Sequence, residues 1–376
     1  MEAIANFTLF FAAVINYNPV IPKHYLMHSK KLLALLSILL FGCSLWAQDI
    51  HFTQYYMSPM TLNPAMTGKF EGTARIGGIY RDQWSSVIND PFRTPSAWID
   101  APVIRGFRKR DWVGVGFMLY QDKAGAAALS HGAAKLGATY HLALDKKGNA
   151  VLSIGGHYGG EQRKIDINKL QFGDGFNPSG DYVQALSMDN GRVVGDAKYK
   201  DIDLGAIISA RLNKKMDFNI GFSMFHLTKP NYSLVGSGGG TGTATSGGVA
   251  KLPRRAVVHG QFNVELNDKW TFNPTFLFQT MNGNDEIIVQ GMTGYLLNPE
   301  KDITLNVGLG YRLSDAANVL LGMKIKDLRV GLAYDINLST LRTASSYRGG
   351  FELAANYIIK IYKPAVVKPK VLCPRF

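Results

Sequence analysis

The chain has 376 residues and a formal charge of +13, with 46% hydrophobic residues, 11% aromatics, 40 glycines and only 18% charged residues. Soluble domains carry about 25% charged residues, so this composition speaks against a globule wetted on every side. Its two cysteines, Cys43 and Cys373, cannot build a disulfide framework. The basic excess comes with no helical basic stripe and no aromatic RNA-binding motif, so nucleic acid is not expected as a partner.

At the N-terminus, His28, Lys30 and Lys31 precede a mostly apolar run, Leu32 to Leu45, that ends in Trp46-Ala47. A charged region, an apolar core and a small residue make an export signal, with the mature chain starting near Gln48. The run is shorter than the roughly 20 residues of a membrane-spanning helix. Met27 then reads as the start of translation, and residues 1–26 as an upstream extension. Leu40-Phe41-Gly42-Cys43 offers a rival, lipoprotein processing. After Gln48 there is no run of 18 apolar residues, so no membrane helix is expected.

Residues 48–71 form an irregular segment, aromatic and polar, with neither a helical nor a strand period. Pro59 and Pro64 remove backbone donors, Asn63-Pro64 starts a turn, and Gly68 is free to take a backbone shape closed to other residues. Such an apolar-rich cord needs something to pack against, and it is expected to line or plug the mouth or lumen of a barrel formed by the residues after it.

Residues 72–360 alternate. Outer-membrane barrels set apolar residues outward and polar ones inward over segments of roughly 10 residues. In 328–337, Leu328, Val330, Leu332, Tyr334 and Ile336 oppose Arg329, Gly331, Ala333, Asp335 and Asn337. Similar faces occur in 201–212, 302–312 and 350–360. Tyr80, Trp84, Trp112, Tyr120, Trp270, Tyr311, Tyr334 and Tyr357 are expected in aromatic girdles at the membrane interfaces.

The segments number about fourteen: 72–84, 92–101, 112–122, 130–144, 150–160, 200–212, 216–228, 254–266, 270–279, 285–297, 302–312, 318–326, 328–337 and 349–360. Connections after even-numbered segments are mostly short, as at 145–149, 213–215 and 267–269. After odd-numbered ones several are long, at 161–199, 229–253 and 338–348. A β-sandwich has no reason to sort loop lengths by parity, whereas an outer-membrane barrel has short periplasmic turns and long exterior loops. The fold expected is an all-β, antiparallel transmembrane barrel of about fourteen strands with a plug-like N-terminal segment.

Chemistry is not indicated. The six histidines after Gln48 lack HExxH or His/Cys zinc spacing, so no metal site is assigned. No Gly-x-Ser-x-Gly elbow nominates a nucleophile. The glycine-rich 236–248 lacks the Gly-Lys-Ser/Thr that grips phosphate and reads as a loop tip, so no cofactor is expected. Asp174 and Asp181 flank a turn but miss the EF-hand spacing. Lumen-facing charges, among them Asp201, Asp203, Arg211, Asp302, Arg312, Arg329, Asp335 and Glu352, are expected to pair inside a filled barrel. Residues 361–376, with three prolines and four basic residues, make an extended periplasmic tail.

Beside this reading stands a resemblance. Phe52-Thr53-Gln54-Tyr55, Leu62-Asn63-Pro64-Ala65 with Gly68, and Tyr80-Arg81-Asp82-Gln83-Trp84 resemble the opening of the PorP/SprF family of type IX secretion membrane proteins. Ser58 and Asp82 stand where Asn is common in that family. Val113-Gly114-Val115-Gly116, Ala138-Thr139-Tyr140-His141-Leu142, Gly331-Leu332-Ala333-Tyr334-Asp335 and Leu341-Arg342-Thr343-Ala344 are similar to later signatures. The resemblance nominates Gln54, Tyr55, Asn63, Pro64, Ala65, Gly68, Arg81 and Trp84 as motif and plug residues. It implies a non-enzymatic protein of the outer membrane of a Gram-negative, Bacteroidetes-like bacterium, serving type IX secretion and gliding. The partners implied are a secreted surface protein or adhesin, periplasmic and outer-membrane secretion components, and outer-membrane lipid. The alternative class is a diffusion porin or transporter with an open lumen.

Overall fold

In the computed structural model the described residues are 49–105, 110–188, 191–235 and 250–361. The segment read as an export signal, the glycine-rich 236–248 and the residues beyond 361 lie outside them. Fourteen antiparallel strands close into one barrel in sequence order. They are β1 (Ala74–Gln83), β2 (Phe92–Arg105), β3 (Trp112–Ala124), β4 (Leu129–Ala143), β5 (Ala150–Lys164), β6 (Asp196–Asn213) and β7 (Met216–Phe225). The second half comprises β8 (Arg255–Glu265), β9 (Trp270–Met281), β10 (Asn284–Asn298), β11 (Ile303–Arg312), β12 (Ala316–Ile325), β13 (Leu328–Asn337) and β14 (Arg348–Ile359). Closure comes from β1 pairing with β14, from Ala74 opposite Ile359 to Gln83 opposite Gly350, which leaves the sheet no free edge.

Burial follows the two-residue period and runs inside out. Leu136 is 65% exposed, Leu309 68% and Val289 58%, all on the outer face, while Asp201, Asp203, Ser153 and Ser223 are fully buried on the inner one. Only a hydrocarbon surround makes that arrangement favourable. The short connections gather at one end and the long ones, including 165–195 and 226–254, at the other. β5 and β6 pair from Ala150 opposite Ala210 to Lys164 opposite Asp196, so this hairpin reaches further toward the loop end than the alternation alone marks.

The aromatic girdle holds in part. Tyr80, Trp270, Tyr311, Tyr334 and Tyr357 are exposed on the outer face. Tyr120 is instead buried, and Trp112 shares its parity and points inward, stacked on His141. On β3 the outward positions are Val113, Val115, Phe117 and Leu119; the inward ones include Gly114 and Gly116, which blur the alternation.

Candidate functional site in the barrel lumen

The N-terminal segment runs the length of the lumen. It begins at the loop end, where the Asp49 carboxylate meets His226, just past β7, and Arg255, at the start of β8. Three short helical turns follow, Tyr55–Met57, Pro59–Leu62 and Pro64–Met66, each proline opening a turn where no backbone donor is required. It leaves at the turn end, where Trp112 Nε1 donates to Gly68 O at 3.0 Å. Its side chains divide the inner core in two. Ile50, Phe52, Met57 and Met60 pack with Ile79, Trp98, Met118 and Tyr120; Tyr55 and Leu62 pack with Phe225, Val257, Leu277 and Ile288.

At the loop end Thr53 is the hub of a buried ionic cluster. Its hydroxyl donates to Asp335 at 2.8 Å and accepts from Arg81 at 3.0 Å and Arg312 at 2.8 Å. One donor and two acceptor sites exhaust what a hydroxyl offers. The amides of Thr53 and Gln54 donate to the two carboxylate oxygens of Glu352, at 2.6 and 2.8 Å, and Arg81 bridges Glu352 to Asp335. Every charge here has an opposite neighbour and hydrogen bonds, the condition under which ions tolerate burial.

A second cluster faces it. Lys135 lies 2.6 Å from Glu161 and 2.8 Å from Asp203, and His131 contacts Glu161. His226 bridges Asp201 at 2.6 Å and Asp49 at 3.0 Å. Glu161, Asp201 and His226 come close enough together to hold a cation, but the Lys135 ammonium already supplies the positive charge there. No metal is assigned. In the exterior loop Asp174 accepts from Ser187 Oγ and Met188 N, and Asp181 from Asn177, so each carboxylate serves its own loop.

Farther down the lumen, Asn63 is fully buried. Its Nδ2 lies 3.3 Å from Ala206 O, 3.1 Å from Phe222 O and 3.1 Å from His259 Nε2, and its Oδ1 accepts from Ala65 N. Pro64 O accepts from Thr139 Oγ1 at 2.8 Å. The wall gives way for this turn: a Cβ on Gly205 would come within 2.0 Å of Asn63 Oδ1. Gly68, at φ +71°, lies so close to Gly114 that a Cβ on Gly68 would meet the Gly114 Cα at 2.4 Å.

Seven of the eight nominated residues thus meet in the lumen: Gln54, Tyr55 (hydroxyl to Thr275, 2.8 Å), Asn63, Pro64, Ala65 and Gly68 on the cord, with Arg81 on the wall. Trp84 stands apart, half-buried past the end of β1 and edge-on to Phe92 at 5.5 Å. Of the lumen charges, Asp201, Asp203, Arg312, Asp335 and Glu352 join the two clusters; Arg211 and Arg329 are exposed, and Asp302 pairs with Lys324. Sequence reading passed over Thr53 and Asp49, whose small side chains gain their weight only from distant partners.

The model for the family described as type IX secretion system membrane protein PorP/SprF matches residues 44–357. Among curated proteins nothing matches. Solved structures similar to this chain include the Pseudomonas putida toluene transporter TodX, at 11% identity over 82% of this chain and 94% of that one, TM-score 0.45. A Pseudomonas aeruginosa FadL homologue is similar at 11% identity over 84% and 95%, TM-score 0.45. At these identities the likeness concerns barrel architecture alone.

Proposed function

Since the chain belongs to the PorP/SprF family of type IX secretion system membrane proteins, we propose that it is a non-enzymatic outer-membrane scaffold. It helps secrete large surface proteins, adhesins of the gliding machinery among them, and retains them by binding. Its exterior loops, 165–195 and 226–254, meet the cargo, and its short turns face the periplasmic components of the same system. The observation behind this reading is the filled lumen. A cord crosses it from end to end, joined to the wall by buried hydrogen bonds at Thr53 and by ion pairs at Asp49. A fixed plug suits a protein that works through its two rims rather than by passing solutes.

The test is deletion of the gene followed by mass spectrometry of surface-shaved, periplasmic and culture-supernatant proteins. Loss of one or a few large surface proteins marks a dedicated cargo anchor, and broad loss of type IX cargo marks a part of the core machinery. An unchanged surface with altered small-solute uptake sinks the secretion reading and favours a porin.

A further inference from the structure

The basic excess is unevenly placed. Six exposed cations lie together at the turn end: Arg110 before β3, Lys146 and Lys147 between β4 and β5, Arg211 near the end of β6, and Lys214 and Lys215 between β6 and β7. These connections are neighbours and touch. Arg110 donates to the Lys147 carbonyl, and Arg211 N donates to Asn149 O at 2.8 Å. The arc's own acids are engaged elsewhere. Asp111 is buried and accepts from Tyr140 and from Ala143 N; Asp145 caps its own turn through Ala150 N; Asp217 accepts from Asn263. Among the described residues, no carboxylate pairs with Lys146, Lys147, Arg211, Lys214 or Lys215.

The rest of that rim is nearer balance: Lys324 pairs with Asp302 and Lys360 with Asp327, and the exposed Lys269, Lys301, Lys326 and Arg329 stand among the exposed Glu71, Glu265, Asp268 and Glu300. Cations serving annular lipid headgroups would be spread around the circumference, because lipid surrounds the barrel evenly. Here they fill one side. The short-turn end is also the periplasmic one, away from the strongly anionic lipopolysaccharide leaflet. Like charges held together unpaired repel one another, and an opposing acidic surface relieves that repulsion while steering its own approach.

We propose that this arc, from Arg110 to Lys215, is a docking surface for a periplasmic protein with an acidic face. Placing that protein within the secretion machinery rests on the function proposed above; the electrostatic match does not. The test uses full-length protein in its own outer membrane. Intact cells are crosslinked, the barrel is purified, and attached proteins are identified by mass spectrometry. Wild type is compared with a variant carrying Lys146→Glu, Lys147→Glu, Lys214→Glu and Lys215→Glu, and with a control carrying Lys269→Glu and Lys301→Glu. Both variants must keep the wild-type amount and heat-modifiable migration of the barrel; if the fourfold variant does not, the Lys→Gln set at the same positions replaces it. Expected is an acidic periplasmic protein whose recovery falls about tenfold in the arc variant and not in the control. Equal recovery in all three, or equal loss in both variants, overturns the proposal. So does the absence of any such protein together with selective retention of phosphatidylglycerol by the wild type in vesicles of phosphatidylethanolamine and phosphatidylglycerol, which would assign the arc to lipid. Failure of the secretion reading registers separately, as an unchanged surface proteome on gene deletion.

Discussion

Thr53 and Glu352 are 299 positions apart in the chain, and the Thr53 amide donates to the Glu352 carboxylate across 2.6 Å. Because Glu352 also takes the Gln54 amide and Arg81, one wall carboxylate fixes the backbone of the cord and neutralises a buried guanidinium. Glu352→Gln removes the charge but keeps the size, leaving Arg81 with only Asp335. Breaking a buried pair in this way costs about 3–5 kcal/mol. The expected outcome is a clear fall in the temperature at which the detergent-solubilised barrel loses its compact electrophoretic migration. Thr53→Val should cost less, about 1–3 kcal/mol, since it strands donors without removing a charge. An unchanged transition in both variants would mean that the cord adds nothing to the barrel.

A steric fit holds the middle of the cord, where Asn63 sits against Gly205. A methyl group there collides with Asn63 Oδ1 at 2.0 Å, and Asn63 cannot retreat without giving up its bonds to Phe222 O and Ala65 N. Gly205→Ala is expected to destabilise by about 1–3 kcal/mol, the usual range for overpacking. Gly160, on the outer face of β5 with nothing within 4 Å of its would-be Cβ, is the control. Gly160→Ala should stay within about 0.5 kcal/mol of wild type. Similar transition temperatures for the two variants would refute the fit.

The barrel was legible from sequence and the route of the cord was not, for the same physical reason. Alternation is local: a lipid-facing position repeats every second residue, and turn length reads directly as turn or loop end, so fourteen strands and their polarity emerge from neighbours alone. The cord has no period. Its places are set by partners such as Glu352, Asp335, Thr275 and His259, which lie some two to three hundred residues away. The misplacement of Trp112 and Tyr120 has the same origin. Gly114 and Gly116 face the lumen because Gly68 and Met60 press against them, and glycine erases the polar half of the pattern. Arg81 was legible as a motif residue, but its carboxylate partners were visible only as inward charges without addresses.

Acidity should control the loop-end anchor. Burial alone pushes the His226 imidazole down, but Asp49, Asp201 and Glu161 outweigh it and hold its pKa up at about 9. The charged groups facing it are those three carboxylates, with Asp203 at its backbone amide and Arg255 on the far side of Asp49. A pKa raised on folding gives stability that is full below the unfolded value near 6.5 and is lost as pH rises through the folded one. Below about pH 6.5 this contribution should stay constant; from about pH 8 upward the amides of residues 49–57 should lose protection, exchanging faster than the base-catalysed rise common to all amides accounts for. His226→Gln should show the faster exchange at neutral pH and lose the alkaline step. Wild-type protection factors that stay constant through pH 10 would remove His226 from this role.

Removing the cord tests what it does for the lumen. Deleting residues 50–66 takes away the apolar filling of both inner clusters and leaves Arg81, Arg312, Asp335, Glu352 and Lys135 facing the space it occupied. Fourteen strands enclose more room than their own side chains fill, so water should enter and hydrate those charges. The variant is expected to conduct ions in planar bilayers where the wild type stays closed, and to lose its heat-resistant migration at a lower temperature. The same deletion should also weaken surface retention of cargo if the rims depend on a rigid interior. Wild-type conductance equal to that of the variant would mean that the cord does not obstruct the lumen, and the channel reading would then replace the scaffold.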